Sequence, residues 1–176
     1  GTEKEVRDPY VYYDTYTLDA TATPTTLFNN ASEKNLSLSN YPYQQLPNGQ
    51  SFDVHGLRVS YECHALAADA TQQLLMDYLR NVTLQIQIVN KVPSYERCVA
   101  ALIGGQIHLV TAPAVTVNSR NLSVWGGNTV VKFKNRIFLD RQTPWFVKLQ
   151  KDAANNAALT GDFLRVEMIG RLTIQV

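Results

Sequence analysis

The run Phe163–Val176, FLRVEMIGRLTIQV, alternates along its whole length. Leu164, Val166, Met168, Leu172, Ile174 and Val176 share one parity, interrupted only by Gly170, while Arg165, Glu167, Arg171, Thr173 and Gln175 fall on the other. Successive side chains of a strand point to opposite faces, so this pattern predicts a long strand with one face in a core and one facing water or a partner. Such a strand needs partners from far back in the sequence. Val82–Val89 alternates as cleanly, with Val82, Leu84, Ile86 and Ile88 inward and Thr83, Gln85 and Gln87 outward. Phe52–Ala65, FDVHGLRVSYECHA, places Phe52 and Val54 on one parity, passes Gly56, and resumes with Leu57, Val59, Tyr61 and Cys63 on the other. A phase change across a glycine predicts a β-bulge in a central strand.

Elsewhere the pattern is shorter. Residues 1–9 are polar and charged and are expected to form a flexible N-terminal arm ahead of one domain over residues 10–176. Tyr10–Leu18, YVYYDTYTL, is aromatic and β-prone. Asp19–Tyr43 reads as loops around two short strands, at Leu27-Phe28 and at the alternation of Leu36 and Leu38. Asp69 and Gln72 form a capping pattern ahead of Leu74, Leu75, Tyr78 and Leu79, predicting a helix over 70–80. Tyr95, Cys98, Val99, Leu102 and Ile103 recur at helical spacing before Gly104-Gly105, predicting a short helix with an irregular strand as the competing reading. Extended segments follow at 107–111, 115–117, 122–125, 130–139 and 145–149. Many short strands with frequent turn residues, and at most three short helices, predict an all-β antiparallel sandwich. Helices set into long connections favour a single jelly roll over an immunoglobulin fold.

Composition adjusts this picture little. The 176 residues suit one domain, and 45% hydrophobic with 18% charged residues is globular composition. The net charge of +1 shows no basic block of the kind a dedicated nucleic-acid binder carries, so no specific nucleic-acid partner is expected. The start GTEKEVRDPY has no apolar run resembling a secretory leader. Cys63 and Cys98 fit buried thiols better than a disulfide framework.

Candidate chemistry is sparse. Asp53 and Glu62 stand two residues from His55 and His64, as D-x-H and E-x-H pairs that could share a strand face, but the H-x-H pair of a cupin-like metal site is absent from the sequence. No nucleophile elbow or phosphate-binding glycine loop occurs, so neither a cofactor nor an enzymatic activity is expected. Lys132, Lys134 and Arg136 form a mild basic stripe that suits acidic lipid headgroups, nucleic acid or a neighbouring subunit, or is simply a solvated strand face. Tyr10, Tyr12, Tyr13 and Tyr16 read either as core or as an arm packing on another chain.

The turn and strand LPNGQSFDVHGLRVSYE over Leu46–Glu62, the helix in the next connection, and the strand RVEMIGRLTIQV together resemble single-jelly-roll capsid proteins of icosahedral bacteriophages with an internal membrane, in particular sphaerolipovirus-like small major capsid proteins. The resemblance implies a viral structural protein located in the virion capsid and assembled in the host cytoplasm. Its implied partners are copies of itself, other capsid proteins, and the lipid headgroups of the internal membrane. Independently of the resemblance, Tyr10–Leu18 is an aromatic, β-prone segment behind a charged arm and Pro9. It is therefore expected to exchange between copies in a homodimer or higher oligomer, with Tyr10, Tyr12, Tyr13 and Tyr16 packing at least partly on another subunit. The alternative is a carbohydrate- or receptor-binding β-sandwich such as a virion spike head, with Trp125 and Trp145 as exposed platforms.

Overall fold

A computed structural model describes residues 3–19, 24–29, 34–41, 45–62, 72–89, 92–103, 108–110, 121–123, 130–151 and 159–176. The elements, in chain order, are β1 (Lys4–Thr17), β2 (Thr25–Leu27), β3 (Gln50–Glu62), α1 (Gln72–Asn81), β4 (Val82–Ile88), β5 (Tyr95–Cys98), α2 (Val99–Leu102), β6 (His108–Val110), β7 (Asn121–Ser123), β8 (Val131–Asp140), β9 (Trp145–Lys151) and β10 (Phe163–Gln175). They form two four-stranded antiparallel sheets, ordered β1-β10-β3-β8 and β2-β9-β4-β5, and a separate β6-β7 hairpin.

The pairing is nested. Leaving that hairpin aside, the first strand pairs with the last, β2 with β9, β3 with β8 and β4 with β5. Two further ladders, β10 with β3 and β9 with β4, complete the sheets. The inward parities meet in one core: Leu164, Val166, Met168 and Leu172 of β10, Leu84 and Ile86 of β4, and Val147 and Leu149 of β9 are all buried in it. The chain is therefore an all-β antiparallel sandwich. Ile174 keeps the inward parity but is only half-buried against the core.

The phase change in β3 is a bulge at His55. Ile169 and Gly170 of β10 lie opposite Gly56 and Val54, so His55 has no partner across the ladder and the inward parity resets there. Two glycines make room for the bulge. A Cβ on Gly170 would collide with the Asp53 carbonyl, and one on Gly56 would sit 2.8 Å from Val130 Cγ1.

Several expectations need correction. The arm expected over residues 1–9 is already strand from Lys4, with Lys4–Arg7 paired to Gln175–Leu172. The other side of that stretch of β10 pairs with β3, where Ile174 faces Gln50. Its backbone groups therefore need partners on both sides, and residues 4–7 supply them despite their charge. Leu36 and Leu38 lie in a turn rather than a strand. The helical spacing over 95–103 divides into β5 and the single turn of α2, with Val99, Leu102 and Ile103 buried. The helix predicted over 70–80 is present as α1. Cys98 is a free thiol donating weakly to the Leu79 carbonyl at 3.4 Å, and Cys63 lies outside the described residues.

Candidate functional site

Of the four tyrosines expected at an interface, Tyr12 and Tyr16 are buried in their own chain, 3% and 7% exposed. The Tyr12 ring packs edge-on against Tyr10, Phe52 and Tyr41, with centroids 5.0, 4.9 and 5.4 Å away. Tyr41 continues to Trp145 at 5.1 Å, so the aromatic cluster bridges the two sheets. Aromatic pairs at these separations add to plain burial. Burial pushes the Tyr12, Tyr41 and Tyr78 phenols well above the usual tyrosine range. Trp145 is 3% exposed, which removes it as a carbohydrate platform, and Trp125 lies outside the described residues.

Tyr10 and Tyr13 keep some surface. The Tyr13 ring lies under the Arg165 guanidinium, 4.8 Å from its centroid, and its hydroxyl donates to the Leu36 carbonyl. This places Tyr13 in a seal along the edge of β1. Asn40 Oδ1 accepts from Tyr13 N at 2.8 Å, Asn40 Nδ2 donates to the Val11 carbonyl at 2.8 Å, and Thr15 Oγ1 donates to the Leu38 carbonyl at 2.7 Å. Beneath the seal, the fully buried Asp14 accepts from Phe28 N at 2.7 Å, Thr15 N at 2.9 Å and Lys34 Nζ at 2.7 Å. Neither Asn40 nor Asp14 carries a sequence signal, because both act on partners distant in the chain.

The outer face of the first sheet is laced with ion pairs. Arg58 pairs with Glu167, Arg136 with Asp53 at 3.2 Å, and Arg171 with Asp8 at 3.1 Å. His55 Nε2 lies 3.7 Å from Asp8 Oδ1, so the expected Asp53 and His55 pair is divided between different partners. His64 lies outside the described residues. Among the described residues, no three His, Cys, Asp or Glu side chains gather as metal ligands would.

Lys132, Lys134 and Arg136 are all exposed on β8, the edge strand opposite β1. They do not lie on one regular pleat. Gly56 faces Lys132 and Val54 faces Ile137, so residues 133–136 bow outward past His55 alone. Phe133 is anchored against Tyr95 of β5 at 4.7 Å, joining the two sheets along this side. With Arg136 held by Asp53, Lys132 and Lys134 are the members of the stripe left for an outside partner.

No family model, curated protein or solved structure matches this chain. The far end of the molecule carries a second polar cluster that the sequence pattern did not mark. Tyr61 donates to the buried Asp162 at 2.6 Å, and the buried Lys151 Nζ lies 2.9 Å from the Tyr16 hydroxyl and 3.9 Å from Asp19. Leu18 and the 161–162 turn exchange backbone hydrogen bonds at 2.8 and 2.9 Å beside it. These contacts tie the end of β1 to the start of β10. The opposite end of the first sheet has an open cavity of about 420 Å³, lined by Lys4, Gly49, Gln50, Asp140, Arg141 and Gln175.

Proposed function

We propose that this chain is a viral structural protein, a single-jelly-roll capsid subunit that assembles through its sheet edges into a shell over an internal membrane. The observation carrying the reading is the nested order of pairing, first with last, β2 with β9, β3 with β8 and β4 with β5, divided over two four-stranded sheets. A jelly roll, an architecture found in capsid proteins, lectins and cupins, is built on a wrapped hairpin with nested pairing, and the order seen here supports that reading. Lectins and cupins hold their ligands in a concave face or between the sheets. Here, among the described residues, Phe28, Tyr41, Phe52 and Trp145 pack together between the sheets, which supports a scaffold. Cross-strand ion pairs on the outer face and an exposed basic bow at β8 supply charged surfaces for neighbours and for lipid headgroups.

Electron microscopy of the concentrated protein, alone and with the other proteins of its virion, tests the shell. Closed particles of uniform size are expected. Persistent small species under every such condition overturn the reading. Flotation with anionic vesicles tests the lipid contact, and the pair K132E and K134E should abolish a salt-sensitive association. Unchanged flotation assigns the bow to protein or water.

A further inference from the structure

The seal on β1 covers only part of its edge. Val11–Thr15 are closed by the segment carrying Leu38 and Asn40, whereas Glu3–Pro9 are exposed throughout, with Val6 at 54%. The direction of the open backbone groups follows from the ladder. Val176 N donates to the Glu3 carbonyl at 2.9 Å, and Glu5 and Arg7 lie opposite Ile174 and Leu172. Hydrogen-bonded pairs alternate along an antiparallel ladder, so Glu3, Glu5 and Arg7 turn their N–H and C=O groups toward β10. Lys4 and Val6 turn theirs away, and among the described residues nothing bonds them. Pro9, with no N–H, ends the run where the register shifts.

An open edge of this kind is a template for another strand. The side chains say which one. Reading Lys4-Glu5-Val6-Arg7-Asp8 against itself antiparallel about Val6 sets Lys4 opposite Asp8, Glu5 opposite Arg7, and Val6 opposite Val6. Every charged pair is then of opposite sign, and the one apolar residue meets itself on the axis. The same register sets Val6, whose backbone groups point outward, opposite its own copy, and Lys4 opposite Asp8. Moving the axis to Glu5 or Arg7 places like charges face to face, which destabilises a sheet.

We propose that Lys4–Asp8 is a self-complementary edge at which two copies of this chain pair antiparallel about a two-fold axis through Val6, joining their first sheets into one. The partner is a second copy of this chain. Within each copy Arg7 Nε already lies 2.7 Å from Glu5 Oε1, so pairing brings two such ion pairs together as a four-charge cluster across the axis. The same two-fold contact is repeated in both directions, as an isologous interface requires. Its role as a joint of the shell rests on the function proposed above; the pairing itself does not.

Sedimentation velocity on the full chain over a concentration series tests the pairing. The unmodified chain should show a monomer–dimer equilibrium. Glu5→Arg gathers four arginines at the axis and Arg7→Glu four glutamates, so each should weaken dimerisation at least tenfold, about 1.4 kcal/mol. An equimolar mixture of the two variants restores every opposite-sign pair and should dimerise as the unmodified chain does. Val6→Pro removes an outward N–H without touching the β10 ladder and should leave a folded monomer. A chain that is monomeric at millimolar concentration overturns the proposal, as does a dimer indifferent to these changes or a mixture that stays monomeric. Should the dimer respond as described while the chain forms no closed particle, the shell reading fails and the pairing stands.

Discussion

Asn40 replaces a neighbouring strand for Tyr13: its amide oxygen accepts from the Tyr13 N–H at 2.8 Å, and its own N–H donates back to the Tyr13 carbonyl at 3.2 Å. One residue thus imitates the paired bonds of an antiparallel ladder and occupies an edge on which another chain could add. Asn40→Ala should cost about 1–3 kcal/mol in chemical denaturation, because it leaves partly buried backbone groups unsatisfied. It should also promote association through the newly opened edge, read by light scattering.

Gly170→Ala should be among the most damaging single-methyl changes in the protein. The added carbon meets the Asp53 backbone carbonyl, which is held by two ladders and cannot rotate away as a side chain would. A loss of about 3 kcal/mol is expected from such overpacking. A thermal melt within a degree of the unmodified protein would refute the tight crossing at the bulge.

Leu84 and Ile174 share inward parity but differ in depth. Leu84 is fully buried and Ile174 half-buried. Leu84→Ala should therefore cost about 2–5 kcal/mol by leaving a cavity. Ile174→Ala should cost about 1 kcal/mol, with solvent and neighbours closing over the site. Urea unfolding of both variants under one condition checks the ratio.

Alkaline pH should destabilise the fold. Burial raises the phenol pKa values of Tyr12, Tyr41 and Tyr78 above their unfolded value of 10.0, so the native state holds protons that the unfolded state has released. Their contribution is complete below about pH 10 and declines above it, by about 1.4 kcal/mol per pH unit for each such tyrosine. Phenolate absorbance followed beside circular dichroism should show these groups ionising together with unfolding. Ionisation well before the loss of structure would contradict their burial.

The elements legible in the sequence were those whose two faces differ. β4, β10 and the phase change in β3 could be read because burial on one side and water on the other imposes period two. β1 ahead of Tyr10 was not legible, since KEVRD has no such contrast and is strand only because the tail of β10 needs partners on that side. Ile174 had the right parity, but parity gives direction and not depth. The candidate site divided in the same way: Lys132, Lys134 and Arg136 are exposed as their chemistry suggests, while Tyr12, Tyr16 and Trp145 turned inward. Asn40 and Asp14 were invisible because their partners are fixed by the fold and not by spacing.

The position of β10 between β1 and β3 has a consequence for synthesis. Until residues 163–175 leave the ribosome, the two strands that flank β10 have no common neighbour. At about 5–20 residues per second, β1 waits roughly 7–30 s for that partner. Throughout that interval the β10-facing edge of β1 is open to other nascent chains, and that of β3 joins it once residues 50–62 have been made. Production of this protein should therefore depend on chaperone capacity and on a slow rate of initiation more than its finished stability would suggest.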